Sequence, residues 1–156
     1  MKKYIISGAL FLFVAMFLTI NGKSQKVDAC GLITKSEVQS AIGTSVLAPL
    51  KDEGKLGDIP FSHCTFKKNS DLIALLLTIY TYKSKDEVKK LFESSMKQVG
   101  GTEPVSGLGD GAYWWKSKNS LFVIKDKYMV TILLGPETGE LKAAKSIGEI
   151  VVKKMP

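Results

Sequence analysis

Residues 105–136 constrain this chain more than any other stretch. They open with Gly107-Leu108-Gly109-Asp110-Gly111, pass into Ala112-Tyr113-Trp114-Trp115, and continue as two further runs rich in Val, Ile, Leu and aromatics. Ser117-Lys118-Asn119-Ser120 and Asp126-Lys127 separate the runs. β-branched and aromatic segments joined by such short turns predict an antiparallel meander, with strands over 111–116, 121–125 and 128–134. Gly107, Gly109 and Gly111 supply the positive φ angles of a tight strand entry, and Asp110 is expected to bond local backbone amides as a turn aspartate. The spacing Gly107-x-Gly109-x-x-Ala112 loosely matches a dinucleotide fingerprint. That motif must follow a strand and open a helix, whereas Tyr113-Trp114-Trp115 continue as strand formers, so nucleotide binding is rejected.

Upstream, residues 61–67 and 72–82 read as a hairpin turning near 68–71. The second run is apolar on both faces, with Leu72, Ala74 and Leu76 on one and Ile73, Leu75, Leu77 and Ile79 on the other. A strand of that kind belongs in the middle of a sheet covered on both sides. Thr34 with Glu37 and Ser84 with Glu87 have capping-box spacing ahead of amphipathic helices ending at Gly43 and Gly100-Gly101. A closing helix is expected over about 138–154. Residues 44–61 hold Pro49, Gly54, Gly57, Pro60 and five charges, and read as a long exposed loop with a short strand at 46–50. The expected fold is α+β: an antiparallel sheet of about five strands with helices packed against it, in the order α-β-β-α-β-β-β-α, with a crude repeat of strands followed by a helix.

Residues 1–24 carry Lys2 and Lys3, then an uncharged, mostly apolar run ending near Ile20, then Gly22 and Ser24. This is the pattern of a cleavable secretory signal peptide, followed by a single domain at 25–156. Membrane attachment is expected only if the signal is kept. The signal holds three of the 22 basic residues and none of the 15 acids, leaving 19 lysines against 15 acids, a net +4. All the basic residues are lysine. Without arginine forks, and in an exported chain, a nucleic-acid partner is not expected. The only two cysteines, Cys30 and Cys64, are most simply a disulfide in an oxidising periplasmic or extracellular setting.

No cofactor or metal site is expected, because zinc wants four ligands and the chain has one histidine, His63, beside that pair. No catalytic residue is assigned. The nearest thing to an enzyme reading is hydrolysis by Asp110 with Glu103 or Asp126, a pair that would need a carboxyl with a raised pKa in a cleft. The favoured expectation is a non-catalytic binding or accessory module for a protein partner or an amphipathic envelope lipid. Tyr80, Tyr82, Tyr113, Trp114 and Trp115 are its candidate ligand surface. Strand alternation sends Trp114 to one face and its two neighbours to the other. The alternative is a structural component of an envelope complex.

Three segments resemble small exported bacterial domains of the LpqN kind: Cys30-x-Leu32-Ile33-Thr34-x-x-Glu37-Val38, Cys64-Thr65-Phe66, and Val105-x-Gly107-Leu108-Gly109-Asp110-x-Ala112. The resemblance implies a PsbP-like α+β sandwich with the two cysteines bonded, and an accessory role with no agreed reaction. Many members are lipoproteins. Here Lys23, Lys26 and Asp28 separate Cys30 from the apolar run, unlike a lipid-modified cysteine, which abuts it.

Overall fold

The structure is a computed structural model that describes residues 26–156. The expected signal segment lies outside the described residues. Four helices and one antiparallel sheet make up the fold: α1 (Ala29–Leu32), α2 (Lys35–Ile42), β1 (Leu50–Leu56), β2 (Ile59–Lys67), β3 (Ile73–Thr81), α3 (Lys85–Gln98), β4 (Thr102–Pro104), β5 (Gly111–Trp115), β6 (Ser120–Lys125), β7 (Tyr128–Leu134) and α4 (Leu141–Lys154). The seven strands lie in the order β1-β2-β3-β7-β6-β5-β4.

Each half is therefore a meander followed by a helix, and the last strand of one, β3, pairs with the last strand of the other, β7. The α+β class stands, with seven strands where about five were expected. The two extra strands are edges. β1 pairs with β2 along its whole length, from Leu50 opposite Thr65 to Leu56 opposite Ile59, in a segment expected to be mostly loop. Its four charged residues hide the strand from any hydrophobic period, and charge on an edge is what keeps that edge from pairing with another chain. Gly54 within it accommodates the Phe61 ring, whose Cζ would lie 2.7 Å from an added Cβ. β4 is only three residues long and ends at Pro104.

The main core lies between one sheet face and α1, α2 and α4, and it contains Cys64, Phe66, Trp114, Ile132 and Ile147. Cys30 and Cys64 form a disulfide, closing a loop of sequence separation 34 and pinning α1 to β2. The Thr34–Glu37 capping box is complete. The Glu37 carboxylate also takes the Lys154 ammonium of α4 at 2.7 Å, tying the two helices together. In α3, Ser84 accepts from the Glu87 amide, but the Glu87 carboxylate turns to the amide of Lys83, one residue off the reciprocal box. Thr138 does not open α4. Its hydroxyl donates to the carbonyls of Ala74 in β3 and Gly135 in the preceding turn, and the helix starts at Leu141.

The opposite sheet face meets α3 alone. Val88 and Phe92 of α3, together with Tyr82 and Ile124, make a second, smaller core. α3 packs on β6 and β7, so β3 is covered on both sides only in part. It lies in the middle of the sheet as expected, yet Leu76 and Tyr80 stay partly exposed, and Leu72 and Ile73 are 44 % and 40 % exposed.

Candidate functional site

Cross-strand register lays one row of side chains along the α3 side of the sheet. Asp52 faces His63, His63 faces Thr78, Thr78 faces Thr131, Thr131 faces Phe122, and Phe122 faces Tyr113. Strand alternation puts Cys64 in the core and His63 on this other face. His63 Nδ1 lies 2.7 Å from the Thr78 hydroxyl, and its ring packs at 4.3 Å, tilted by 58°, against Phe61, which in turn meets Tyr80 edge-on at 6.3 Å. Phe61, His63, Thr65, Leu76, Tyr80, Thr131 and Leu133 are all partly exposed. This open half, over β1, β2 and β3, is apolar and aromatic with neutral polar groups between the rings. Asp52 and Lys67 lie at its margins.

The five aromatics chosen from sequence divide among three environments. Tyr80 belongs to the open half. Tyr82 is 8 % exposed in the small core with Val88 and Phe92 of α3, and burial, ahead of the neighbouring Tyr80 and Glu87, pushes its hydroxyl pKa up. Tyr113 is half-buried against Phe92, ring centroids 5.6 Å apart. Trp114 is 4 % exposed in the main core on the far face. Trp115 is partly exposed on the α3 side and tilts against Phe122 at 6.5 Å. The structure thus brings Tyr80 and Trp115 to one face, but β7 and β6 intervene, a separation of about 14 Å at the usual strand spacing. Phe61 and His63 belong to the open half and were not assigned to a ligand surface. Only the alternation of 61–67, with Phe61, His63 and Thr65 in phase, could have marked them, and it does not say which phase is the covered one.

The glycine turn has a packing role. Gly107 and Gly109 have φ of 75° and 59°, whereas Gly111, expected to share that conformation, opens β5 without a positive φ; a Cβ on Gly109 would fall 2.2 Å from the Ile124 carbonyl oxygen. Asp110 bonds beyond its own turn: its carboxylate accepts the Asp126 amide at 2.8 Å and pairs with Lys85 at 3.0 Å, joining the β5 entry, the β6–β7 turn and the start of α3. The Asp126 amide first, then Lys85, hold the Asp110 carboxyl below its ordinary value. That is the opposite direction from a general acid. Among the described residues, no three or more of His, Cys, Asp and Glu gather as metal ligands would.

Two clefts lie on this side of the sheet, and the first borders the open half. One of about 670 Å³ lies where the β1–β2 turn, the β3–α3 link and the β6–β7 turn meet, lined in part by Leu56, Ile59, Tyr82, Lys83 and Lys127. The other, about 420 Å³, lies beside α3 around the Lys85–Asp110 pair.

No protein-family model and no curated protein sequence matches the chain at a significant level. A solved structure from Thermotoga maritima, described as a GTP binding regulator, superposes over 83 % of this chain and 95 % of its own, with 11 % identity and a TM-score of 0.43. An overlap that loose has no bearing on what this chain does.

Proposed function

We propose that this chain is an exported, non-catalytic binding module whose ligand surface is the open half of the sheet over β1, β2 and β3, and that the ligand is amphipathic. One observation carries the reading. The sheet is sealed by three helices on one side, whereas its other side leaves Phe61, His63, Leu76 and Tyr80 partly exposed in a contiguous patch. Aromatic rings interleaved with neutral hydrogen-bonding groups suit a ligand with both an apolar body and polar substituents. The disulfide supports an oxidising compartment. The resemblance to LpqN-type domains points to the same accessory role.

Trp115 lies three strands from Tyr80 and Trp114 lies in the core, so Tyr80→Trp places a reporter in the patch itself. Addition of vesicles made from total envelope lipid should shift and strengthen the emission of that variant well beyond the change in the native chain. Phe61→Ala should weaken binding without unfolding the domain. An emission spectrum unmoved by vesicles and by monomeric detergent alike overturns the lipid reading. Capture of one envelope protein at fixed stoichiometry through Phe61 would instead make this a structural component of a complex.

A further inference from the structure

The cleft of about 670 Å³ is within the usual size range for a small-molecule site and continues the open half. Ile59 lies two residues before Phe61 on the same face of β2, and Tyr82 two residues beyond Tyr80 in the direction of β3. The Tyr82 amide donates to the Lys127 carbonyl at 2.9 Å, so the β3–α3 link and the β6–β7 turn are held side by side. That bond places Lys83 and Lys127 along the same cleft.

The charges there are uneven in their commitments. Among the described residues neither Lys83 nor Lys127 has a carboxylate within ion-pair distance, in contrast to Lys51, Lys85 and Lys154, and the Lys127 ammonium sits instead 5.7 Å from the centroid of the Tyr128 ring. Two acids also line the cleft. The Glu87 carboxylate accepts the Lys83 amide at 3.0 Å, and Asp58 is exposed on the β1–β2 turn. Opposite the lysines the wall is apolar: Leu56 is 63 % exposed, with Ile59 and Pro60 beside it.

We infer that this cleft seats the anionic headgroup of an amphiphile, a phosphate or carboxylate on Lys83 and Lys127, with its apolar chain running over Leu56 and Ile59 towards Phe61 and Tyr80. The inference rests on the proposed binding role of the open half. Two ammonium groups without carboxylate partners select charge, and the apolar wall of Leu56 and Ile59 selects a chain attached to it.

Calorimetric titration of the chain without its expected signal segment separates the two readings, with dodecyl phosphate, dodecyl maltoside and inorganic phosphate each kept below any micelle threshold. Dodecyl phosphate should bind about tenfold more tightly than the neutral maltoside, with the advantage shrinking as salt rises, as for exposed ion contacts. The double variant Lys83→Met, Lys127→Met should lose that advantage and leave maltoside affinity unchanged. Leu56→Glu should weaken both amphiphiles. Equal affinities for the two, or an advantage untouched by the lysine variant, overturns the headgroup site while leaving the open half as the binding surface. Inorganic phosphate binding as tightly as dodecyl phosphate overturns it in favour of a small-anion site. Failure of the native domain to bind either amphiphile overturns the functional reading with it.

Discussion

Removing the Cys30–Cys64 bond tests how α1 is held. The bond closes a loop of sequence separation 34. In the chain-entropy account, freeing a loop of that length returns to the unfolded chain conformational freedom equivalent to about 4 kcal/mol at 25 °C. The native side loses little, because α1 has other attachments. Asp28 caps it by accepting the Cys30 amide at 3.0 Å, the Ala29 amide donates to the Ser62 hydroxyl at 3.0 Å, and Ala29 and Ile33 are buried in the main core. The double variant Cys30→Ala, Cys64→Ala should therefore keep native far-ultraviolet circular dichroism and lose about 4 kcal/mol in urea unfolding followed by tryptophan emission. Its m-value should rise, since an unlinked denatured chain exposes more surface. Reduced native protein is the control for the hole left at Cys64, which is fully buried. A loss below about 1 kcal/mol with an unchanged m-value would refute the entropic account. A loss accompanied by missing helical signal would show that the bond holds α1 in the folded state instead.

The Glu37 carboxyl is held at about 2, first by the Lys154 ammonium and then by the Thr34 amide and hydroxyl. A depressed carboxyl stabilises the fold above its unfolded value of about 4.3 and loses that contribution as pH falls towards 2. Glu37→Gln should thus cost about 1 kcal/mol at neutral pH, modest because the carboxylate is 32 % exposed and screened, and the gap from the native chain should close between pH 4.5 and pH 2 in urea melts. Gly109→Ala forces both a left-handed φ and a collision with the Ile124 carbonyl, and should cost more than about 2 kcal/mol in thermal unfolding. Gly107→Ala, with a similar φ and open space around its Cβ, should cost about half as much. Equal losses would show that backbone conformation alone sets the penalty.

The parts of the fold that were readable came from local rules. Period-two runs at 72–82 and 111–134, and side-chain caps at Thr34 and Ser84, need no partner to be recognised, and each produced its element. β1 and α1 were hidden for opposite reasons. β1 is an edge whose side chains face solvent, so nothing in its composition repeats with a strand's period, and α1 is a single turn held from outside by a cap, a disulfide and buried contacts. The Lys154–Glu37 bond spans 117 residues and has no local trace. Alternation separated Trp114 from Tyr113 and Trp115 correctly. Which face was sealed depended on which side of the sheet each helix took, and that is decided only by tertiary packing.

The half-open face follows from topology and dimensions together. Seven strands at the usual spacing span about 29 Å, and a helix of 14 residues is about 21 Å long and 10 Å wide, so one helix cannot cover one face. Three helices share the other side. α3 must also carry the chain from β3 to β4, the far edge, and that path crosses β7, β6 and β5. Its apolar residues are therefore used on β6 and β7, and the patch over β1, β2 and β3 has no helix left to cover it. The partly exposed patch of Phe61, His63 and Tyr80 thus follows from the order of the strands, because the path that α3 must take leads away from it.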